Sequence, residues 1–188
     1  MDNRFLTQLT DQGFSQEQIS QLRRVASELE LPTRHVLIQQ GDEPEHIYLL
    51  LDGICHASYL TETGKAFSKE FYWENDWVIG YEALIKQQPS PFLLETLTPA
   101  TLICIPIDTL RQWRAEQHAI YYKLLETQLM YKEHKERFML LHTPAQRYTL
   151  FREHYPELLD RLTDYQIAAY LGITSISLSR IKSRLNKG

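Results

Sequence analysis

The stretch LTDYQIAAYLGITSISLSRIKSRL, Leu162 to Leu185, decides how this chain is read. Thr163 or Asp164 is placed to cap a first helix. Ile167 and Leu171 then fall four residues apart on one face, with the small Ala168 beside them where a second helix can cross closely. Gly172 follows, where a sharp turn between helices favours a residue that tolerates positive φ. Ile173 plugs the turn, Thr174 or Ser175 caps the second helix, and Leu178, Ile181 and Leu185 repeat at the spacing that buries one face. At about 100° per residue the opposite face is then set. Ile176, Arg180, Ser183 and Lys187 lie roughly opposite the core stripe, flanked by Ser175, Ser177, Ser179, Lys182 and Arg184. From Ser175 to Gly188 there are four cations and no carboxylate. Such a helix-turn-helix face suits base edges and phosphates of double-stranded DNA; the alternative is a helical hairpin that merely packs.

Charge is unevenly placed around that segment. The 188-residue chain carries a net charge of -4, which argues against coating nucleic acid by charge alone. Residues 1 to 142 hold 13 Lys and Arg against 20 Asp and Glu, a net of -7, whereas residues 143 to 188 hold 7 against 4, a net of +3. A sensory or scaffold domain joined to a DNA reader has this asymmetry.

Other chemistries find little support. Cys55 and Cys104 are isolated, so cysteine alone offers no zinc or iron-sulfur ligand set, and both read as small buried hydrophobes. The seven His lack HxxxH or HExxH spacing, and no metal site is expected. There is no Ser/His/Asp or Cys/His arrangement and no glycine-rich phosphate loop, so no enzyme activity and no catalytic residue are expected. Neither a signal region nor a membrane-spanning run is present, and the expected location is the cytoplasm.

Upstream, residues 3 to 30 read as helical, with Phe14, Ile19, Leu22, Val25 and Leu29 spaced three or four apart and Ser15 placed as a cap before Gln18. From Val36 to Ile107 short apolar runs alternate with turn residues. Ile47 to Leu51 is followed by Asp52-Gly53, a hairpin signal, and by Ile54 to Leu60; Thr63-Gly64-Lys65 turns the chain before Ala66 to Trp73. Phe92 to Leu97 and Thr101 to Ile107 complete a set that implies an antiparallel roll, barrel or sandwich. The fold class is therefore α+β.

Asp108 is placed to cap a long helix running to His142. Ile120, Leu124, Thr127, Tyr131, His134, Phe138 and Leu141 alternate steps of four and three, a heptad seam with polar interruptions at Thr127 and His134. Either the helix packs on its own chain or the seam joins two copies, and the second reading is preferred. The polar positions then fix register, and His134 makes the seam pH-sensitive. Thr143-Pro144 marks a fresh helix start, with a stop near Tyr155-Pro156. The expected domains are a sensor over 1–107, a dimerisation helix over 108–142 and a DNA reader over 143–188.

In this order of elements the chain resembles the cyclic-AMP receptor protein and fumarate-nitrate reduction regulator (CRP/FNR) family of bacterial transcription factors. In QQGDEPEHIYLLLDG, Gly41 and Gly53 stand where the family's roll turns its corners, with Tyr48 between. WVIGYEALIKQQPSPFLLETLTPATLICI resembles its phosphate-binding cassette, with Gly80 and Glu82 in place of the Gly-Glu pair. HTPAQRYTLF and YLGITSISLSRIKSRL are similar to a short branch of the family. The resemblance implies a cyclic-nucleotide-binding-like jelly roll, a homodimer, double-stranded DNA as target and contact with RNA polymerase.

Three departures shape the expectation. The Arg that neutralises a cyclic phosphate in the family falls here on Ser90 or Pro91, no Lys or Arg occurs between Gln87 and Leu110, and Glu82 stands one place late. A buried phosphodiester without that partner forgoes a charge-assisted hydrogen bond of about 1.5–3 kcal/mol, so cyclic AMP in the usual mode is not expected. Ile176 replaces a Glu that some members use for cytosine, while Arg180 keeps a family Arg, so a different sequence should be read. No β-wing follows the recognition helix in this sequence, and binding is expected to be more salt-sensitive. Phe71, Tyr72, Trp73, Trp77, Tyr81 and Phe92 crowd the cassette. They are either core or the lining of an effector pocket made of Tyr72, Gly80, Tyr81, Glu82, Ser90 and Phe92.

Overall fold

The computed structural model describes residues 3–185, and the chain divides into a unit of residues 1–126 and a unit of residues 127–188. In the first, helices α1 (Asn3–Asp11) and α2 (Gln16–Val25) precede eight strands: β1 (Ser27–Leu31), β2 (Val36–Ile38), β3 (His46–Asp52), β4 (Cys55–Leu60), β5 (Ala66–Tyr72), β6 (Trp77–Val78), β7 (Leu93–Thr96) and β8 (Ala100–Pro106). Helix α3 (Tyr81–Lys86) lies between β6 and β7, and α4 (Ile107–Ala115) follows β8. The strands form two antiparallel sheets ordered β1-β8-β3-β6 and β2-β7-β4-β5, the jelly roll expected from the apolar runs.

Strands β3 and β8 decide where the cores lie. Their side chains alternate between two buried layers. Ile47, Leu49, Leu51, Ile103 and Ile105 pack with Phe5, Leu9, Leu22, Leu110 and Ile120 from the helices. Tyr48, Leu50, Ala100, Leu102 and Cys104 face the space between the sheets, with Ile38, Cys55, Tyr72, Phe92 and Leu94. A strand covered on both faces reads as an unbroken apolar run, which is why residues 47–51 show no alternation.

Four local expectations are corrected. The segment read as helical to residue 30 ends at Val25, and Leu29 pairs with Leu102 in the β1–β8 ladder. Asp52-Gly53 does not close a hairpin: β3 and β4 belong to different sheets, and the turn is a corner between them. Gly53 is required there, because its φ is +98° and an added Cβ would come 2.5 Å from the Pro99 carbonyl oxygen. Asp108 is not a helix cap; α4 begins at Ile107 after Pro106, and Asp108 instead pairs with Arg111 at 2.7 Å. Finally, residues 108–142 are not one helix. The chain breaks over 116–118, where Gln117 takes φ +52° and His118 Nδ1 accepts from the Ile120 amide at 3.2 Å, starting α5 (Ala119–Leu141). The expected turn at Thr63-Gly64-Lys65 does close a β4–β5 hairpin.

The second unit holds the rest of α5, then α6 (Pro144–His154), a single 3-10 turn (Pro156–Leu158), α7 (Asp164–Tyr170) and α8 (Ser175–Leu185). Thr143 with Gln146 and Thr163 with Gln166 form capping boxes, so the amide donors at the starts of α6 and α7 are satisfied locally. After α7 the Gly172 amide donates to the Ala169 carbonyl (3.2 Å) and the Ile173 amide to that of Ala168 (3.0 Å), a Schellman closure with Gly172 at φ +66°. Thr174 caps α8, its hydroxyl accepting from the Ser177 amide at 3.1 Å. Ile167, Ala168, Leu171, Leu178 and Ile181 are buried as expected, whereas Leu185 is 43% exposed at the end of α8.

These constraints can be tested by denaturation. Gly172→Ala meets both a left-handed φ and the Met139 methyl at 2.6 Å, and should cost about 2 kcal/mol in urea. In the β4–β5 region, burial lowers the His56 ring from 6.5 to about 4 against the pull of Glu70. Burial raises the Asp76 carboxyl from 3.8 to about 7, opposed by the Trp73 amide and reinforced by Glu70 and Glu74. Between about pH 4 and 7 the folded state therefore holds the extra proton at Asp76, so that group makes stability fall as pH rises. At His56 the unfolded state holds it between about pH 4 and 6.5, so stability rises with pH. Denaturation across this range should show Asp76→Asn steepening the rise and His56→Gln unmasking the fall; an unchanged slope in both variants would contradict the assignment.

Candidate functional site

The exposed face of α8 is built from the burial of its other side. Leu178 and Ile181 are held against α7, and the opposite positions Ser175, Ile176, Ser179, Arg180, Ser183 and Arg184 are exposed, Ile176 to 66%. Ser177 and Lys182 are half-buried at the flanks. Ser177 is engaged with the Thr174 cap, and Lys182 Nζ pairs with Asp164 Oδ1 at the start of α7. Lys182 is thus a tie between the two helices, its charge partly answered, rather than an unengaged cation. Lys187 lies outside the described residues. The face left open carries Arg180 and Arg184 and no carboxylate.

Tyr165 was not singled out from the sequence, yet it is 71% exposed on the first turn of α7. The available signal was its position off the Ile167–Leu171 stripe. Beneath the turn, Arg147 is 8% exposed; its Nη1 donates to Met139 Sδ at 3.2 Å, and its Nε has no partner among the described residues. Tyr170 gathers Phe151 (5.4 Å) and Phe138 (6.4 Å), with Lys135 Nζ 3.1 Å from its ring centroid, a cation–π contact that anchors α7.

Three of the seven expected seam positions on α5 are used within the chain. Ile120 and Leu124 are buried in the core of the first unit, and Phe138 packs on Tyr170. Tyr131 is half-buried; Thr127, His134 and Leu141 are exposed. In the second unit the large apolar side chains left open on α5 are Leu129 (56%), Met130 (51%), Leu140 (74%) and Leu141 (69%). Leu129 and Leu140 are eleven residues apart, as are Met130 and Leu141. Eleven residues make three turns, so these four share one broad face with Glu133, His134 and Arg137.

Of the six candidate effector residues, Tyr72, Gly80, Ser90 and Phe92 come together, whereas Tyr81 and Glu82 turn elsewhere. Tyr72, Ser90 and Phe92 are buried on the inner side of the roll. The Ser90 hydroxyl is committed to the Phe92 carbonyl (2.8 Å), and its backbone is bonded to Gly41 and Asp42. Gly80 precedes α3, Tyr81 packs edge-on to Tyr121 in the helix-side core (6.1 Å), and Glu82 points outward to Lys86 (2.7 Å). The aromatic crowd divides in the same way: Trp77 joins Phe14, and Phe71 stacks on His56 at 4.4 Å. One cation does reach the inner group. In the β4–β5 ladder Ala57 pairs with Glu70 and Ser58 with Ser68, leaving Lys69 as the extra residue of a bulge. Its Nζ lies 4.7 Å from the Phe92 ring centroid and 3.4 Å from the Tyr72 hydroxyl. Inspection of the cassette alone misses it, because Lys69 stands twenty-one residues before Ser90. Even so, with Glu82 turned away and Tyr72 and Phe92 filling the interior, these residues do not fit a cyclic nucleotide held in the usual way.

Residues 28–117 match the family model of the cyclic nucleotide-binding domain. No curated protein sequence matches the chain. Solved structures do. A protein of Eubacterium rectale assigned to the CRP/FNR family of transcriptional regulators is 13% identical with a TM-score of 0.70, over 98% of this chain and 88% of that one. FixK2 from Bradyrhizobium japonicum is 20% identical with a TM-score of 0.67, over 87% and 85%. CLP from Xanthomonas campestris, a c-di-GMP responsive global regulator, is 17% identical with a TM-score of 0.66, over 90% of each chain. Two of these, the Eubacterium rectale and Xanthomonas campestris proteins, are described as regulators, and no helix among the described residues is long and apolar enough to cross a membrane. Residues 28–117 accordingly resemble a cyclic nucleotide-binding domain, and the chain has the fold found in CRP/FNR transcriptional regulators.

Proposed function

We propose that this chain is a homodimeric, sequence-specific DNA-binding regulator in the cytoplasm. The observation that carries the reading is the exposed, carboxylate-free face of α8 on a helix-turn-helix whose caps and turn are locally satisfied. Arg180 is assigned to a guanine, which an Arg can bond through two hydrogen bonds, and Ile176 to a thymine methyl. Ser175, Ser179, Ser183, Arg184 and Tyr165 border the groove and suit phosphates. Lys187 is kept as a phosphate contact from the sequence alone. Lys182 is reassigned to holding α7 against α8 through Asp164.

Dimerisation is assigned to the α5 face of Leu129, Met130, Leu140 and Leu141, since so large an apolar surface on one helix is ordinarily covered. Two recognition helices then enter successive major grooves about 34 Å apart. In this scheme residues 1–107 are the sensor, 108–142 the dimerising segment and 143–188 the reader, and the roll also presents a surface to RNA polymerase. An effector acts only if it binds the DNA-competent arrangement more tightly than the idle one. A second reading, in which the helix-turn-helix docks a protein, is favoured by the exposed Tyr165 and Ile176.

Selection from a randomised duplex library separates the two. A two-fold-symmetric site should be enriched, and Arg180→Ala should cost about 1–3 kcal/mol and relax one base pair. Lys182→Ala should lower folding stability together with affinity for all sequences. Failure to enrich any site, at low salt and over a panel of small effectors, would favour protein docking. Light scattering should give a dimer for the wild type and a monomer for the double variant Leu129→Glu, Leu140→Glu; a dimer that survives both changes would place the interface elsewhere.

A further inference from the structure

A cleft of about 580 Å³ opens at the end of the roll where β2 leads into β3. Its volume lies within the ~300–1,000 Å³ of ordinary small-molecule sites. Asp42, Glu43 and Glu45 stand exposed along it, and none of the three has a cationic partner among the described residues. Leu37, Ile38 and Pro44 add apolar surface. Tyr48 also lines the cleft; it is 5% exposed, and its hydroxyl makes no hydrogen bond among the described residues. The rest of the side chain is buried while the hydroxyl stays open at the cleft, so a ligand seated there meets a fixed hydroxyl able to accept a hydrogen bond.

The loop is not a loose acidic strand. The Ser90 amide donates to the Asp42 carbonyl and the Gly41 amide to the Ser90 carbonyl, each at 2.8 Å. The Ile107 amide donates to the Glu45 carbonyl, also at 2.8 Å. Both ends of the acidic run are thereby held by main-chain bonds, which reduces the ordering needed on binding.

The ligand class follows from charge and spacing. Among the described residues no three His, Cys, Asp or Glu side chains converge closely enough to hold a metal ion. A single compact divalent cation is therefore a poor match for carboxylates spread along a loop. Several ammonium groups joined by methylene spacers match better, since the ammonium groups meet separate carboxylates and the spacers cover the half-buried Leu37. We propose that this cleft binds a linear organic polycation of the diamine or polyamine class, with the Tyr48 hydroxyl accepting a hydrogen bond from one ammonium group. The site lies wholly within residues 1–126 and does not depend on how α8 is used.

Titration calorimetry of the full chain with spermidine and putrescine tests this, with MgCl2 and NaCl at matched ionic strength as controls. Saturable binding is expected that neither salt reproduces, weakened about tenfold by Glu45→Gln and by Tyr48→Phe. Glu45 is exposed and Tyr48→Phe keeps the ring, so both variants should fold, and exposed Asp42→Asn provides a third whose folding is not at issue. No saturable binding, equal competition by Mg²⁺, or affinity unchanged in all three variants would overturn the proposal.

Discussion

Strands β3 and β8 are paired along most of their length and buried on both faces, and the arrangement of the first unit depends on that double burial. One set of their side chains closes the space between the sheets, and the other receives α1, α2, α4 and the start of α5. A strand pair in this position cannot shift register by one residue without exchanging every layer contact at once. The corner at Gly53 protects the register at its other end, because the chain must leave β3 where the Pro99 carbonyl and Ala100 leave no room for a Cβ.

The roll interior shows what that closure does to a ligand site. Tyr72 and Phe92 occupy the space between the sheets, and the Ser90 hydroxyl is turned back on its own backbone. Lys69 is brought inward by a bulge rather than supplied by the segment after α3. A fold that elsewhere frames a nucleotide is here filled by its own side chains. The opening that remains at the β2–β3 end has the opposite electrostatic character, with carboxylates along it instead of a cation.

In the second unit, local bonds do most of the positioning. Capping boxes, the Schellman closure at Gly172 and the Thr174 cap each satisfy the ends of short helices within a few residues of sequence. Long-range contacts then fix how the pieces pack, through Tyr170 with its aromatic neighbours and through the Asp164–Lys182 pair. The recognition role proposed for α8 would need this rigidity, since base contacts tolerate little displacement.

What could be read from the sequence was local. The caps at Ser15 and Thr143, the turn at Gly172 and the outward face of α8 follow from residue chemistry and a 3.6-residue period, and the structure has them where the residues place them; between Thr163 and Asp164 it makes Thr163 the cap. The antiparallel roll was legible from its apolar runs and turn residues. Tertiary structure decided everything that depends on which surface meets which. Leu29 joined a strand because β8 needed an edge partner, and Asp52-Gly53 became a corner because β3 and β4 sit in separate sheets. The heptad pattern of α5 was shared between two intrachain cores at Ile120, Leu124 and Phe138, leaving other apolar positions exposed. Lys182 was drawn to a carboxylate eighteen residues away, and Lys69 to an aromatic ring twenty-three residues away. Periodicity states that a side chain has a buried face; only packing states what covers it, because burial free energy is non-directional and depends on the whole set of partners.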